Sequence, residues 1–199
     1  MGKRIVIVGG GSAGWGPKLM LDLLLTTSIS DATFSDATFV LHDLNSANAE
    51  RIAGFSRRLA ADLSAKARVE AEPDPDRALA GADFVIITIS IGGLDEMAHD
   101  LAIPERYGIF HTVGDTSGPG GWSRTMRNVP VFVELAERVN RVAPGAVILN
   151  YTNPMAQLTK ALCLPTDRPV IGLCHGVFED FAFLQKVFGL ASEDEIQAT

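Results

Sequence analysis

The sequence predicts an α/β fold built on a doubly wound parallel sheet. Three observations carry this reading. Apolar runs of strand length alternate with segments whose apolar residues recur every three or four positions. The first run ends in Gly9-x-Gly11-x-x-Gly14, and a helical pattern follows at once. The second run ends in an acid, Asp43.

The elements follow in order. Residues 4–9, RIVIVG, are continuously apolar after the arginine, as a strand covered on both faces should be. Residues 14–26 read as a helix with Leu19, Leu23 and Thr26 on one side. Residues 38–43, TFVLHD, are the second strand, and 46–66 a long helix with Ile52, Phe55, Leu59 and Leu63 as its inward stripe. Residues 67–72, ARVEAE, form a short strand that Pro73 and Pro75 end. Residues 83–89, DFVIITI, are the fourth strand. Residues 94–107 are mostly helical, with Pro104 disturbing the turn before it. A loop, 114–121 (GDTSGPGG), precedes a helix over 122–142. Strand 146–152 (AVILNYT), helix 154–163, strand 169–174 (PVIGLC) and helix 177–190 complete the order. Such an alternation implies right-handed crossovers between parallel strands. The pentapeptide SDATF at 30–34 recurs at 35–39. Only one copy can lead into the second strand, so the other reads as a loop insertion of small entropic cost.

Composition bounds the function. The 199 residues suffice for one good-sized domain or somewhat more, and 47% hydrophobic against 21% charged residues is ordinary for a globular protein. A net charge of −7 argues against nucleic acid or an anionic membrane as partner. No apolar stretch is long enough to cross a bilayer. Two cysteines are too few for a disulfide framework, which points to a reducing compartment, the cytoplasm. Cys163, inside the 154–163 helix, reads as core.

The glycine loop divides three tasks: a tight turn, close approach of the backbone to a pyrophosphate, and close packing of helix on strand. The free N–H groups of the following helix then face the phosphates. Gly9, Gly10, Gly11, Ser12, Ala13 and Gly14 are therefore the expected cofactor contacts, with Ser90 beyond the fourth strand. Asp43 should bond the ribose hydroxyls and disfavour a 2′-phosphate, hence NAD over NADP. The stretch from Gly14 to Asp43 exceeds the usual ~20 residues, and removing the duplicated pentapeptide brings it closer.

Two further positions lie at the carboxyl edge, where open α/β sheets bind ligands. Asn153 precedes Pro154, so it is either a helix cap or a group reaching substrate or nicotinamide. Cys174 ends the last strand beside His175. A cysteine there is either a small buried hydrophobe or, at a helix N-terminus, a thiolate able to ligate a divalent metal. Neighbours in extended chain point to opposite faces, so His175 is freer to move a proton than to share that metal.

The motifs GGGSAG, GDTSGPGGWSRTMRN, LNYTNPMAQLT and GLCHG, in this order, resemble glycoside hydrolase family 4. The chain is most similar to the members with Cys-His, the α-glucosidases, α-galactosidases, α-galacturonidases and α-glucuronidases; the phospho-glycosidases typically carry Cys-Asp. The resemblance implies a Rossmann-like fold related to lactate and malate dehydrogenases. It also implies NAD and Mn²⁺ or another divalent metal as cofactors. The reaction it implies is oxidation at sugar carbon 3, elimination, addition of water and reduction, outside the two-carboxylate route. It further implies Cys174 as a metal ligand, His175 as the acid assisting departure and a substrate contact, Asn153 as a substrate contact, and Asp115 as an acid tuning a catalytic tyrosine. His99 and Arg106 lie in the segment that reads phosphate in the phospho-sugar members. The partner is a small glycoside, unphosphorylated, and GLCHG leans towards α-uronides; the full-length form is expected as a homo-oligomer.

Family chains are about twice as long, with a second metal-ligating histidine and the catalytic tyrosine further on. After Cys174 this chain has 25 residues, with one histidine, the adjacent His175, and no tyrosine. The expectation is a partial chain: residues 1–175 form the NAD-binding domain and 176–199 the start of a truncated catalytic domain. Alone it should be inactive. The competing readings are an NAD-dependent 2-hydroxy-acid dehydrogenase, which shares the Asn-Pro turn, and a non-catalytic NAD-binding fragment.

Overall fold

The computed structural model describes residues 2–29, 36–174 and 176–197. Six parallel strands stand in the order β3-β2-β1-β4-β5-β6: β1 Arg4–Val8, β2 Thr38–His42, β3 Arg68–Ala71, β4 Phe84–Ile87, β5 Val147–Asn150 and β6 Val170–Gly172. The chain works outwards from β1 to β3, returns beside β1 as β4, and continues to β6. Val8 pairs with His42 and with Ile87, Ile87 with Asn150, and Asn150 with Gly172. The carboxyl ends of five strands are thus level, and their loops open on one edge, with the switch of direction between β1 and β4.

Both faces of the sheet are covered. Val6, Val8, Val85, Ile87 and Ile148 face Phe132, Ala136 and Val139 of α5 (Gly118–Val142) and Leu158 and Leu162 of α6 (Met155–Cys163). Ile5, Ile7, Phe39, Leu41 and Ile86 face Leu19, Met20 and Leu24 of α1 (Gly16–Ile29) and Ala53 and Ala60 of α2 (Ser46–Asp62). Alternate residues of each strand serve opposite layers, which is why the strands read as unbroken apolar runs.

The helices depart from expectation in instructive ways. Thr26 is exposed and donates its hydroxyl to the Asp22 carbonyl at 2.9 Å; the inward residues of α1 are Leu19, Met20 and Leu24. In α2 the fully inward row is Ala49, Ala53, Ser56 and Ala60. Ile52, Leu59 and Leu63 flank it half-buried, and Phe55 is exposed. Small side chains let α2 lie close to the sheet while the larger ones close the sides. A short helix, α3 (Pro75–Leu79), was not expected; Asp74 caps it, accepting from Arg77 N–H at 2.8 Å, and Ala78 and Leu79 are buried. α4 is Gly93–Glu105, with Pro104 in its last turn, and α5 begins inside the expected GDTSGPGG loop, with Pro119 in its first turn. Cys163 is exposed rather than core, because Leu158, Ala161 and Leu162 take the inward face of α6. α7, Gly176–Phe188, exposes Phe178, Phe183, Val187 and Phe188. The second copy of the pentapeptide leads into β2, where Thr38 N–H donates to the Lys3 carbonyl at 2.8 Å; residues 30–34, the first copy, lie outside the described residues. Among the described residues no helix is long and apolar enough to cross a membrane.

Candidate functional site

The glycine turn is hooked to the neighbouring strand. The N–H groups of Gly9 and Gly10 both donate to the His42 carbonyl, at 2.9 and 3.0 Å. Gly9 holds φ +90°, and a Cβ there would stand 2.3 Å from the Thr88 carbonyl oxygen. Gly11 N–H donates to Asp43 Oδ2 at 3.1 Å, and Asn45 N–H to Oδ1 at 2.9 Å. One carboxylate therefore pins the turn to the start of α2. Ser12 Oγ accepts from Trp15 N–H at 3.2 Å, while Ala13 and Gly14 are exposed at the rim. The helix-packing task expected of Gly14 falls to Gly16. A Cβ on Gly14 would meet nothing within 4 Å, whereas one on Gly16, where the helix starts, would stand 3.1 Å from both the Gly10 carbonyl and Ile52 Cγ2. Trp15 also packs on Tyr151 beyond β5, ring centroids 5.8 Å apart, which ties the turn to the other half of the sheet.

A crevice of about 550 Å³ runs along the switch point, lined by Gly9, Ser12 and Asp43 on one side and by Thr88, Ser90 and Leu135 on the other. Its far side is organised by α5. Arg124 Nε donates to the Asn153 carbonyl at 3.0 Å, and Nη2 stands 3.5 Å from Ser90 Oγ. Asn153 Nδ2 donates to Asp115 Oδ2 at 3.1 Å; Thr116 Oγ1 donates to Asp115 Oδ1 at 2.9 Å. Asn153 is thus no helix cap. The residue before α6 is Pro154, joined to it by a cis bond, and the Asn153 side chain is turned across to Asp115. Beneath it, buried Asn150 donates to the carbonyls of Thr152 and Met155 and to Thr159 Oγ1, and accepts from Thr152 N–H. Thr152 Oγ1 accepts from Ile89 N–H at 3.1 Å, locking the β4 and β5 loops together.

One turn beyond Arg124, Arg127 donates from Nε to the Ile91 carbonyl at 3.2 Å and from Nη2 to Asp100 Oδ2 at 2.5 Å. Asp100 is 6% exposed and also accepts from Ser123 Oγ at 2.7 Å. Burial pushes its carboxyl up, but the hydrogen bonds from Arg127 and Ser123 and the Arg127 charge outweigh this, so it titrates below the usual carboxylate range. Arg124, Arg127, Asp100 and Asn150 were not singled out from the sequence. The available signal was a pair of arginines at helical i,i+3 spacing in SRTMRN, directly after the GDTSGPGG loop.

The structure brings Gly9, Gly10, Gly11, Ser12 and Asp43 together on one side of the crevice, with Ser90 on the facing side, and Asn153 to Asp115. Cys174, just past β6, is exposed. His175 lies outside the described residues. Among the described residues no three His, Cys, Asp or Glu side chains gather closely enough to hold a metal. His99 and Arg106 are exposed on α4 and at its end.

Comparison with known proteins gives the family. The α-galacturonidase of Thermoanaerobacterium saccharolyticum is 39% identical over 194 residues, which is 96% of this chain and 39% of that protein. The chain spans about two fifths of the length of the curated relatives it matches. The LplD structure of Bacillus subtilis superposes with a TM-score of 0.83 at 35% identity, covering 99% of this chain and 45% of that one. The 6-phospho-β-glucosidase of Thermotoga maritima, solved with manganese, NAD⁺ and glucose-6-phosphate, gives 0.78 at 26% identity, covering 94% and 43%. Lactate dehydrogenase of Eimeria maxima, at 16% identity and a TM-score of 0.66 over 98% of this chain and 51% of that one, shares the fold alone. The family 4 glycosyl hydrolase profile matches residues 4–190, most of the chain, and with the sheet order and the crevice this settles the family: the chain belongs to the family 4 glycosyl hydrolases.

Proposed function

We propose that this chain binds NAD and forms the cofactor-bearing part of a glycosidase. The expected substrates are unphosphorylated α-glycosides, α-hexuronides above all, cleaved by oxidation, elimination, addition of water and reduction. The observation that carries the reading is the Asp43 carboxylate, held by Gly11 and Asn45 N–H groups at the mouth of the crevice. A carboxylate so placed accepts the ribose hydroxyls and repels a 2′-phosphate. The glycine turn fits a dinucleotide. Cβ atoms at Gly9, Gly10 and Gly11 would each collide with neighbouring chain, and α1 starts directly after the turn, so its N-terminus favours a phosphate there. NAD, when bound, supplies a reversible hydride acceptor for the sugar.

The chain's own residues then orient the substrate. Asn153 presents its amide at the carboxyl edge as a substrate contact, and Asp115 holds that amide. Ser90 lines the crevice, within reach of the Arg124 guanidinium that also holds the Asn153 carbonyl. The roles of His175 as acid and of Asp115 towards a tyrosine come from the family resemblance. Cys174 offers one sulfur donor, whereas a catalytic metal takes about three protein ligands. The described residues therefore do not make a metal site, and a Mn²⁺ held by Cys174 would need donors beyond them. The substrate class rests on the α-galacturonidase named above. We place the boundary of the NAD domain at residue 175. The four exposed apolar residues of α7 suit a helix that begins another domain.

Titration of the chain with NAD and NADP tests this. NAD should bind and NADP should bind more weakly. Equal or tighter NADP binding removes Asp43 from its role, and absence of binding by both refutes the proposal.

A further inference from the structure

We propose that Arg124 is the specificity residue that receives the carboxylate of a hexuronide substrate. This rests on the glycosidase reading above and names the group that would read its substrate. Arg124 is half-buried, and its guanidinium lies between Ser90, on the crevice wall, where the contact is exposed, and Asn153, the expected substrate contact. Only Nε makes a short hydrogen bond, to the Asn153 carbonyl at 3.0 Å; the Nη2 contact to Ser90 is 3.5 Å long.

Arg127, one turn on, shows the contrast. Its side chain is 20% exposed, and its guanidinium is matched by Asp100 at 2.5 Å, with Glu96 at 3.9 Å. Among the described residues no carboxylate stands within 4.0 Å of the Arg124 guanidinium. Asp115, the acid in the same cluster, has its oxygens engaged by Asn153 and Thr116. A guanidinium anchored at Nε with its terminal N–H groups accessible favours a planar anion that takes two parallel hydrogen bonds. A hexuronide carboxylate has that shape. A neutral hexose presents only a hydroxymethyl group there. The Asn153 bond fixes the plane of the fork, so the donors are oriented before the ligand arrives.

The test uses this chain saturated with NAD, and galacturonate, its methyl ester and galactose as probes. The Arg124 Nε–Hε signal is followed by NMR, and affinity is taken from the shifts. Galacturonate should move that signal and bind about tenfold or more tightly than the uncharged ester or galactose, the scale of a charge-assisted pair. Arg124→Gln should erase this preference and Arg124→Lys keep part of it, since an ammonium keeps the charge but not the fork. The ligand series in the unaltered chain decides the matter even if the variants fold poorly. Equal affinity for galacturonate and its ester overturns the proposal. So does an unchanged preference in Arg124→Gln, or a signal that moves with NAD and not with galacturonate. If galacturonate has no effect while NAD binds, the Arg124 proposal falls and the NAD reading stands; if NAD itself does not bind, the reading beneath it has failed first.

Discussion

Replacing Asp43 by asparagine separates two roles that one carboxylate combines. Asp43 accepts two backbone N–H groups, Gly11 at 3.1 Å on Oδ2 and Asn45 at 2.9 Å on Oδ1. An amide has one oxygen, so whichever way it turns its NH₂ faces one of these donors. One charge-assisted bond is lost and a donor meets a donor. For a half-exposed side chain this should cost about 1–2 kcal/mol of stability without any ligand. The ribose hydroxyls lose an acceptor as well, a further loss of about 1–2 kcal/mol in NAD binding, or roughly 5- to 30-fold in Kd. Asp43→Ala removes both oxygens and should weaken NAD by about 1–3 kcal/mol. Removing the charge should also narrow the preference for NAD over NADP.

Urea denaturation of the ligand-free variants reads the first role, and calorimetric titration with both cofactors reads the second. If Asp43→Ala loses stability yet binds NAD within about twofold of the unaltered chain, a difference under the roughly 1.4 kcal/mol of a tenfold change, Asp43 is a clamp for the turn and the ribose assignment is wrong.

The remaining predictions concern the framework. Asp100→Asn should destabilise the chain by about 2–4 kcal/mol, because it leaves the largely buried Arg127 side chain with only the looser, more exposed Glu96 at 3.9 Å as counter-charge; urea midpoints check this. Asp100 titrates below its ordinary value in the folded chain, so the stability it contributes is complete above about pH 4 and is lost as pH falls through the lower folded value. Its asparagine variant should therefore show a flatter acid limb in the stability–pH profile, and an unchanged limb would deny the pair that role. Gly9→Ala should cost about 2–4 kcal/mol, from a positive φ and a 2.3 Å approach to the Thr88 carbonyl. Gly14→Ala, in open space, should stay within about 0.5 kcal/mol, and equal losses at both positions would contradict the division of tasks in the turn.

The strands were legible in the sequence because a parallel strand covered on both faces leaves an unbroken apolar run. The inward face of α2 was not. Periodicity weighs large side chains, whereas contact with the sheet is made by Ala49, Ala53, Ser56 and Ala60, whose small size permits it. α3 escaped because five residues are too few to show a helical period, although Asp74 ahead of Pro75 is an N-cap signal that was open to reading.

The candidate site divides the same way. Its glycine-turn end is local: the spacing of Gly9 and Gly11 and the acid ending β2 are printed in the chain, and the structure joins them through one hydrogen bond, Gly11 to Asp43. Its other end has no such local logic. Arg124 meets Asn153 across 29 residues of sequence and Ser90 across 34, and Asn153 meets Asp115 across 38. Each partner alone has an ordinary explanation, so Asn153 before a proline reads as a helix cap until a distant acid is seen to hold its amide. Only the crossover that lays α5 over the carboxyl edge turns these residues into one cluster. It follows that α5 sets the geometry of the far wall more than either loop does. Substitutions on its Arg124–Arg127 face should disturb the β4 and β5 loops together, while the glycine turn, which α5 does not hold, keeps its own bonds.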